Sequence, residues 1–236
     1  MNNIFTVMRR ELSSYFLSPL IYVLAAVFVF LYGVFFTGLL LGRGIVSLHL
    51  SLGSMLMVML FMIPIMTMRS LAEEKRMGTD ELIMTAPITT AQFVAGKFIA
   101  ICVSFLIMLS MLGFHVLIAY LVAQPDPGPI IGSFLGLICM GLVFISVGLF
   151  TSSLSENQVV AGLLGFGILL LFWLLDWVGG AFPGKFGETL NALSLMTYYD
   201  DFGKGVLDTA NAVYYLTMAG IFLFFTIRKV ESRRWK

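Results

Sequence analysis

The sequence predicts an all-α, polytopic membrane protein with six transmembrane helices, and its composition and the spacing of its apolar residues support this. Of the 236 residues, 59% are hydrophobic and 11% are charged, whereas a soluble domain is about 25% charged and about 45–50% apolar. The apolar residues are gathered in six runs, and a bilayer-crossing helix needs about 20 such residues. Runs of this length are too long for sheet strands, and a helix satisfies its own backbone hydrogen bonds in lipid.

The six predicted spans lie at about residues 20–42, 46–68, 97–122, 130–152, 158–178 and 210–228. A secretory signal peptide is not expected at the N-terminus, because the first apolar run is too long and no small-residue cleavage site follows it. We therefore expect residues 1–236 to form a single transmembrane domain.

The distribution of Lys and Arg predicts the orientation of the chain. With six spans, both termini lie on one side, and that side carries eleven of the fourteen Lys and Arg residues. The other side carries three, Arg43, Lys185 and Lys204. Because basic loops stay in the cytoplasm, we expect both termini there, with residues 69–97 as the largest cytoplasmic loop and 179–209 as a long extracytoplasmic segment.

Residues 1–19 have the pattern of an amphipathic helix that lies in the inner membrane interface. Its basic and small polar residues, Arg9, Arg10, Ser13 and Ser14, fall away from the apolar residues that recur at helical spacing, which are Ile4, Phe5, Met8, Leu12, Tyr15 and Phe16. Such a helix places its apolar side in lipid and its basic side in water. Pro19 then marks the bend into the first span.

The densest group of charges lies at residues 73–97, EEKRMGTDELIMTAPITTAQFVAGK. Gly78 can end the helix that continues from the second span. Thr79 can cap a short helix over about 79–86, and Pro87 ends it. Thr89 or Thr90 can cap the next helix.

A helix of two turns is not stable alone in water. The apolar residues Leu82, Ile83 and Met84 on this short helix therefore need a surface to pack against. That surface is either a partner protein or the ends of the protein's own spans, and the pattern leaves both alternatives open.

The same stretch resembles the cytoplasmic signature of permeases in the type-2 ABC exporter class. That signature runs as an acidic pair, Gly-Thr, Glu-Leu, a Pro after a small residue, and Gly-Lys at the opening of the third span. Its elements are present here as Glu73, Glu74, Gly78, Thr79, Glu81, Leu82, Pro87, Gly96 and Lys97. Two further stretches are similar to that class, GLFTSSLSENQVVA at 148–161 and YYDDFGKGVLDT at 198–209, and the second resembles its gliding-motility-associated branch.

The resemblance implies that the chain is the permease subunit of an ABC exporter. In that class the short helix between the second and third spans is a coupling helix, which sits in a cleft of a separate ATPase subunit. The residues implied in partner contact and force transfer are Glu73, Glu74, Arg76, Gly78, Thr79, Glu81, Leu82 and Pro87. The resemblance also implies short helices within 179–209 that dip back at the outer mouth.

The expected partners follow from the same resemblance. They are an ABC ATPase, a second permease copy or a similar permease in a dimer, membrane lipid, and an auxiliary extracytoplasmic subunit, in a bacterial cytoplasmic (inner) membrane. The chain has no G-x-x-x-x-G-K-[ST] motif to hold ATP phosphates, so ATP and Mg would be used by the ATPase, with no cofactor and no catalysis expected here. Nucleic acid is not an expected partner, because the net charge is only +1.

Three ionisable residues near or within the spans are candidates for chemistry, since such residues are often functional. His49 and His115 lack Cys, Asp or Glu at ligand spacing, which makes a poor metal site and favours packed or hydrogen-bonded imidazoles. Asp176, at the outer end of the fifth span, is either solvated or part of a gate. The G-x-S-x-G and H-E-x-x-H motifs of hydrolases are absent.

The sequence is also compatible with two other functions. One is a membrane scaffold in which an ATPase drives mechanical signalling without export. The other is an ion-coupled secondary carrier, which would need intramembrane charges and has only His49, His115 and Asp176 as near candidates.

The pair Gly132-x-x-x-Gly136 predicts a close helix contact. The contact is either a seam with another copy or packing inside one subunit.

Overall fold

A computed structural model describes residues 3–43, 48–78, 88–123, 125–182, 184–206 and 208–232. Within these ranges the chain is helical, with no strand. We number the ten helices in chain order: α1 Asn3–Leu17, α2 Pro19–Arg43, α3 Leu48–Arg76, α4 Thr90–Ser110, α5 Gly113–Val122, α6 Pro127–Leu154, α7 Gln158–Ala181, α8 Lys185–Leu193, α9 Leu195–Gly203 and α10 Thr209–Glu231.

The six predicted spans are confirmed as helices long and apolar enough to cross a membrane. They correspond to α2, α3, α4 with α5, α6, α7 and α10. The second and third spans continue as helix to the predicted local signals, since α3 runs to Arg76, two residues before Gly78, and α4 begins at Thr90, directly after Thr89. The connection between the second and third spans is therefore shorter than the predicted loop 69–97.

The third span is not one continuous helix. The spacing of its backbone hydrogen bonds changes at Met111 and Leu112, whose amides bond to the carbonyls three residues back, and α5 then starts at Gly113. Leu112 is fully buried, so this break is held within the packed interior. The predicted span at about 97–122 is present, and Gly113 marks the point where its helix is interrupted.

Side-chain caps fix where several helices begin. Thr89 caps α4, accepting from the amide of Gln92 while the Gln92 side chain accepts from the amide of Thr89, so the predicted cap at this position is confirmed. Short polar side chains satisfy amides that the first helical turn leaves unbonded. The same role is filled by Asp126 before α6, Asn157 before α7, Ser194 before α9 and Asp208 before α10.

Helices α3 and α6 form the centre of the bundle. Glycines on α6 allow its neighbours to approach closely: Gly141 lies against the ring of Phe105 on α4, and Gly148 lies against Thr67 on α3. Small residues at such positions let membrane helices pack backbone to backbone. Helices α2, α7 and α10 lie outside this centre and expose apolar side chains such as Phe30 and Leu171, as lipid contact requires.

The short helices α8 and α9 fold back over the end of the bundle away from the α3–α4 connection. Helix α9 lies on α6 at the predicted glycine pair, where a Cβ at Gly132 would overlap the carbonyl oxygen of Phe202 and one at Gly136 would meet the ring of Tyr199. The pair therefore serves packing inside one subunit, and its partner is α9. Helix α9 is also joined to α10, because Tyr215 donates a 2.6 Å hydrogen bond to the Leu195 carbonyl.

Candidate functional site

Of the charged residues singled out in the sequence, Glu73, Glu74, Arg76 and Lys97 lie at the end of the bundle where α3 ends and α4 begins. Helix α1 packs along α4 at this end. The contact is close because residue 96 is glycine: a Cβ there would lie 2.7 Å from the Cβ of Val7. One turn earlier, the side-chain amide nitrogen of Asn3 donates to Oε1 of Gln92 at 3.4 Å. Helices α1 and α4 are therefore in contact over more than one turn.

Lys97 lies at the centre of this contact and is only 2% exposed. Its ammonium nitrogen is 2.9 Å from Oε1 of Glu11 on α1 and 3.1 Å from Oε1 of Glu74 on α3. It also donates to the carbonyl oxygen of Ser70 at 2.8 Å. Since an ammonium group has three donors, this set of partners accounts for all of them.

Arg10 completes the group, with Nη2 3.2 Å from Oε1 of Glu74. We call Arg10, Glu11, Glu74 and Lys97 the ion cluster. Its two cations balance its two carboxylates, and both carboxylates are over 90% buried, with Glu11 8% and Glu74 7% exposed. Removing charges from water is costly unless each is paired, so this pairing is what allows Glu11, Glu74 and Lys97 to be buried, whereas the Arg10 side chain is 63% exposed.

The side of the ion cluster that faces α2 opens on a cavity of about 250 Å³, with Ser14, Ile21 and Arg69 among its lining residues. Tyr15 also lines it and donates to the Met66 carbonyl at 3.1 Å. Burial raises the pKa of the Tyr15 hydroxyl, and the negative charge of Glu11 adds to that rise. Tyr15 therefore stays a neutral donor that holds α1 to α3.

Ser152 on α6 makes a second polar contact to the end of α3. Its hydroxyl accepts from the amides of Leu71 and Ala72, both at 3.0 Å, and donates to the Met68 carbonyl at 3.0 Å. The hydroxyl thus lies between groups that are hydrogen-bond partners in a regular helix. Side chains inserted in this way are a known cause of helix bending. These three hydrogen bonds also attach α3 to α6, one turn before the ion cluster.

Four of the predicted site residues, Glu73, Glu74, Arg76 and Gly78, lie in the described part of the chain, and they differ in burial. Glu73 pairs with Arg69 at 3.1 Å and is half-buried, while Glu74 is internal and belongs to the ion cluster. Arg76 and Gly78 are exposed at the end of α3, and Gly78 has the positive φ of 67° expected where the helix ends. Thr79, Glu81, Leu82 and Pro87, together with the predicted helix over 79–86, lie outside the described residues.

Four residues of this site were not assigned to it from the sequence, Arg10, Glu11, Lys97 and Ser152. Arg10 was placed on the basic side of α1 and Lys97 at the opening of the third span. Glu11 was overlooked because α1 was expected to face lipid on one side and water on the other, whereas its third side packs on protein. The available signal was spacing, since Ile4, Val7 and Glu11 share one helical face. Ser152 lies within the stretch 148–161 noted above, but nothing in its type distinguishes it from the serines beside it.

Among the described residues, the three ionisable candidates near the spans have either a hydrogen-bond partner or a ring contact. Nδ1 of His49 is 3.2 Å from the Ser133 hydroxyl, and the His115 ring meets Tyr32 edge-on at 4.9 Å between centroids. Asp176 accepts a 3.0 Å hydrogen bond from Thr197 and so joins α7 to α9. Among the described residues, no group of three or more His, Cys, Asp or Glu side chains is placed to hold a metal ion.

These features define a polytopic α-helical membrane protein with a charged connection between its second and third spans. The chain belongs to the ABC-2 family transporter proteins, whose sequence model matches residues 44–199. It is thus an integral membrane protein and the permease component of an ABC transporter. A comparison with individual curated proteins gives no match. The family match includes Glu74, Lys97 and Ser152, whereas Glu11 and the whole of α1 precede it.

Proposed function

We propose that this chain is the membrane-spanning subunit of an ABC exporter that is driven by a separate ATPase. The observation that supports it most is membership of the ABC-2 transporter family in a chain with no phosphate-binding loop motif. A permease of this kind needs a second polypeptide that binds ATP and Mg. The permease itself holds neither and pairs with a second permease, either another copy or a similar chain.

The ATPase contacts the permease at the connection between α3 and α4. The exposed residues at the end of α3, Arg76 and Gly78, border that surface, and Glu73 lies beside it, half-buried. The following segment supplies Thr79, Glu81, Leu82 and Pro87, which we infer from the sequence pattern to form the coupling helix. When ATP closes the ATPase pair, movement of this segment pulls on α3 and α4 together.

This assignment requires residues 69–97 and both termini to face the cytoplasm across an inner membrane. The excess of Lys and Arg on this side favours that orientation. The structure supports it by grouping the charged residues of α1, α3 and α4, as well as the 2.7 Å pair between Lys75 and Glu156, at one end of the bundle.

The test is reconstitution of the full chain with its ABC ATPase in lipid nanodiscs. We expect the permease to raise the ATP hydrolysis rate, and Leu82→Arg or Glu81→Lys to abolish that increase while the protein still inserts. Lys204→Glu, at the opposite end, is the matched control and should keep it. If the Leu82→Arg permease still raises the ATP hydrolysis rate fully, the proposed coupling role of this segment is wrong.

A further inference from the structure

We propose that the ion cluster joins α1, the end of α3 and the start of α4 into one rigid body, so that α1 moves with the coupling segment. This inference rests on the proposed function for the source of the motion. The joining itself is a property of the permease alone. It makes Glu11, Glu74 and Lys97 positioning residues for coupling, although none of them lies on the exposed surface.

The first support is that one ammonium group connects three helices. Lys97 belongs to α4, Glu11 to α1 and Glu74 to α3, and both carboxylates lie within 3.1 Å of its nitrogen. Separating such charges inside a protein is costly, because a buried charge that loses its partner is left uncompensated. A displacement of Glu74 is therefore passed to Lys97 and on to Glu11.

The second support is the position of the ion cluster along the chain. Glu74 lies in the last turn of α3, directly before the exposed Arg76 and Gly78. Lys97 lies in the second turn of α4, on the other side of the same connection. Both ends of the coupling segment are thus attached to the same buried group.

The third support is steric agreement between α1 and α4. Gly96 allows Val7 to approach, and Asn3 bonds to Gln92. These contacts fix the position of α1 along the axis of α4, whereas the ion cluster fixes the rotation of α1 about its own axis. Apolar packing alone tolerates substitution and small shifts, but a fully bonded ammonium has one arrangement.

An alternative is that the ion cluster only stabilises the fold. Buried ion groups often contribute little net stability compared with apolar replacements of similar volume. A neutral replacement of its three buried members, Glu11, Glu74 and Lys97, should therefore remain folded and reveal whether the charges also restrict motion of α1. This separates a positioning role from a structural one.

The experiment measures the distance between α1 and α4 by pulsed electron–electron spin resonance. Spin labels are placed at Ser13→Cys and Ala91→Cys, both exposed, in a full chain with Cys102→Ala and Cys139→Ala. With the native ion cluster, we expect one narrow distance distribution. It should be the same in the permease alone and in the complex with its ATPase, with or without ATP and vanadate.

The test variant is Glu11→Gln/Glu74→Gln/Lys97→Met, which removes the buried charges without leaving one unpaired. We expect its α1–α4 distance distribution to broaden and its stimulation of the ATPase to be lost, while the protein stays folded and still binds the ATPase. Lys75→Met is the matched control, because it breaks the Lys75–Glu156 pair at the same end without touching α1. The control should keep the narrow distribution.

Two results would overturn the proposal. One is a distribution in the test variant as narrow as in the native protein, and the other is a native α1–α4 distance that changes with nucleotide. If the native permease fails to bind or stimulate the ATPase, the proposed function fails instead. The distances measured in the permease alone still show, in that case, whether the ion cluster holds α1.

Discussion

The ammonium nitrogen of Lys97 lies 2.9 Å from a carboxylate oxygen of Glu11, although the two residues are 86 positions apart in the chain. This pair connects a helix that precedes the family match to one within it. An amphipathic N-terminal helix that only rested on the membrane would not need a buried acid. Helix α1 is therefore part of the packed bundle.

Removal of the Lys97 charge should destabilise the protein strongly. Lys97→Met leaves Glu11 and Glu74 buried side by side without their shared cation, which typically costs about 3–5 kcal/mol. The measurement is the unfolding free energy or thermal midpoint of the purified protein. Lys204→Met is the control, because Lys204 is exposed and its nearest carboxylate oxygen is 3.9 Å away. Equal stability of the two variants would contradict the assigned role of Lys97.

Ser152→Ala should weaken the attachment of α3 to α6. It removes the hydroxyl bonded to Met68, Leu71 and Ala72, and loss of partners for buried backbone groups costs about 1–3 kcal/mol. Ser146→Ala is a matched control on the same helix, since the buried Ser146 hydroxyl bonds only to its own helix at the Leu142 carbonyl. Comparison of thermal midpoints checks this, and an equal loss in both variants would show that the contact to α3 is unimportant.

Gly132→Ala should displace α9 from α6. The new Cβ would overlap the carbonyl oxygen of Phe202, and forcing extra atoms into a packed contact costs about 1–3 kcal/mol. Amide hydrogen exchange of residues 195–203 should become faster. Gly167→Ala is the control, because nothing lies within 4 Å of a Cβ at that position. Unchanged exchange in Gly132→Ala would mean that α9 is not held by this contact.

The spans could be predicted from the sequence because lipid demands about 20 apolar residues for each crossing, and this signal does not depend on tertiary contacts. The burial of charged residues near their ends could not. The helices were predicted to continue to Gly78 and to begin after Thr89 or Thr90, but Glu74 and Lys97 within them are buried because each is paired with an opposite charge on another helix. Such pairing between distant segments is not visible in a local pattern.

The candidate site was also predictable only where it depends on local sequence. The stop at Gly78 and the cap at Thr89 depend on local backbone chemistry and are confirmed. The contribution of Glu11 depends on which side of α1 meets protein, which amphipathic spacing alone does not decide. The coupling role of Leu82 and its neighbours stays a prediction, since residues 79–87 lie outside the described part of the chain.

The most direct test of the account asks which side of the membrane holds the connection between α3 and α4. Met77→Cys, at a position 61% exposed at the end of α3, is treated in intact spheroplasts with a membrane-impermeant maleimide, in a chain with Cys102→Ala and Cys139→Ala. Lys204→Cys at the opposite end serves as the control. The account predicts that Lys204→Cys is labelled at once and Met77→Cys only after the membrane is permeabilised. Labelling of Met77→Cys in intact spheroplasts would contradict coupling to a cytoplasmic ATPase.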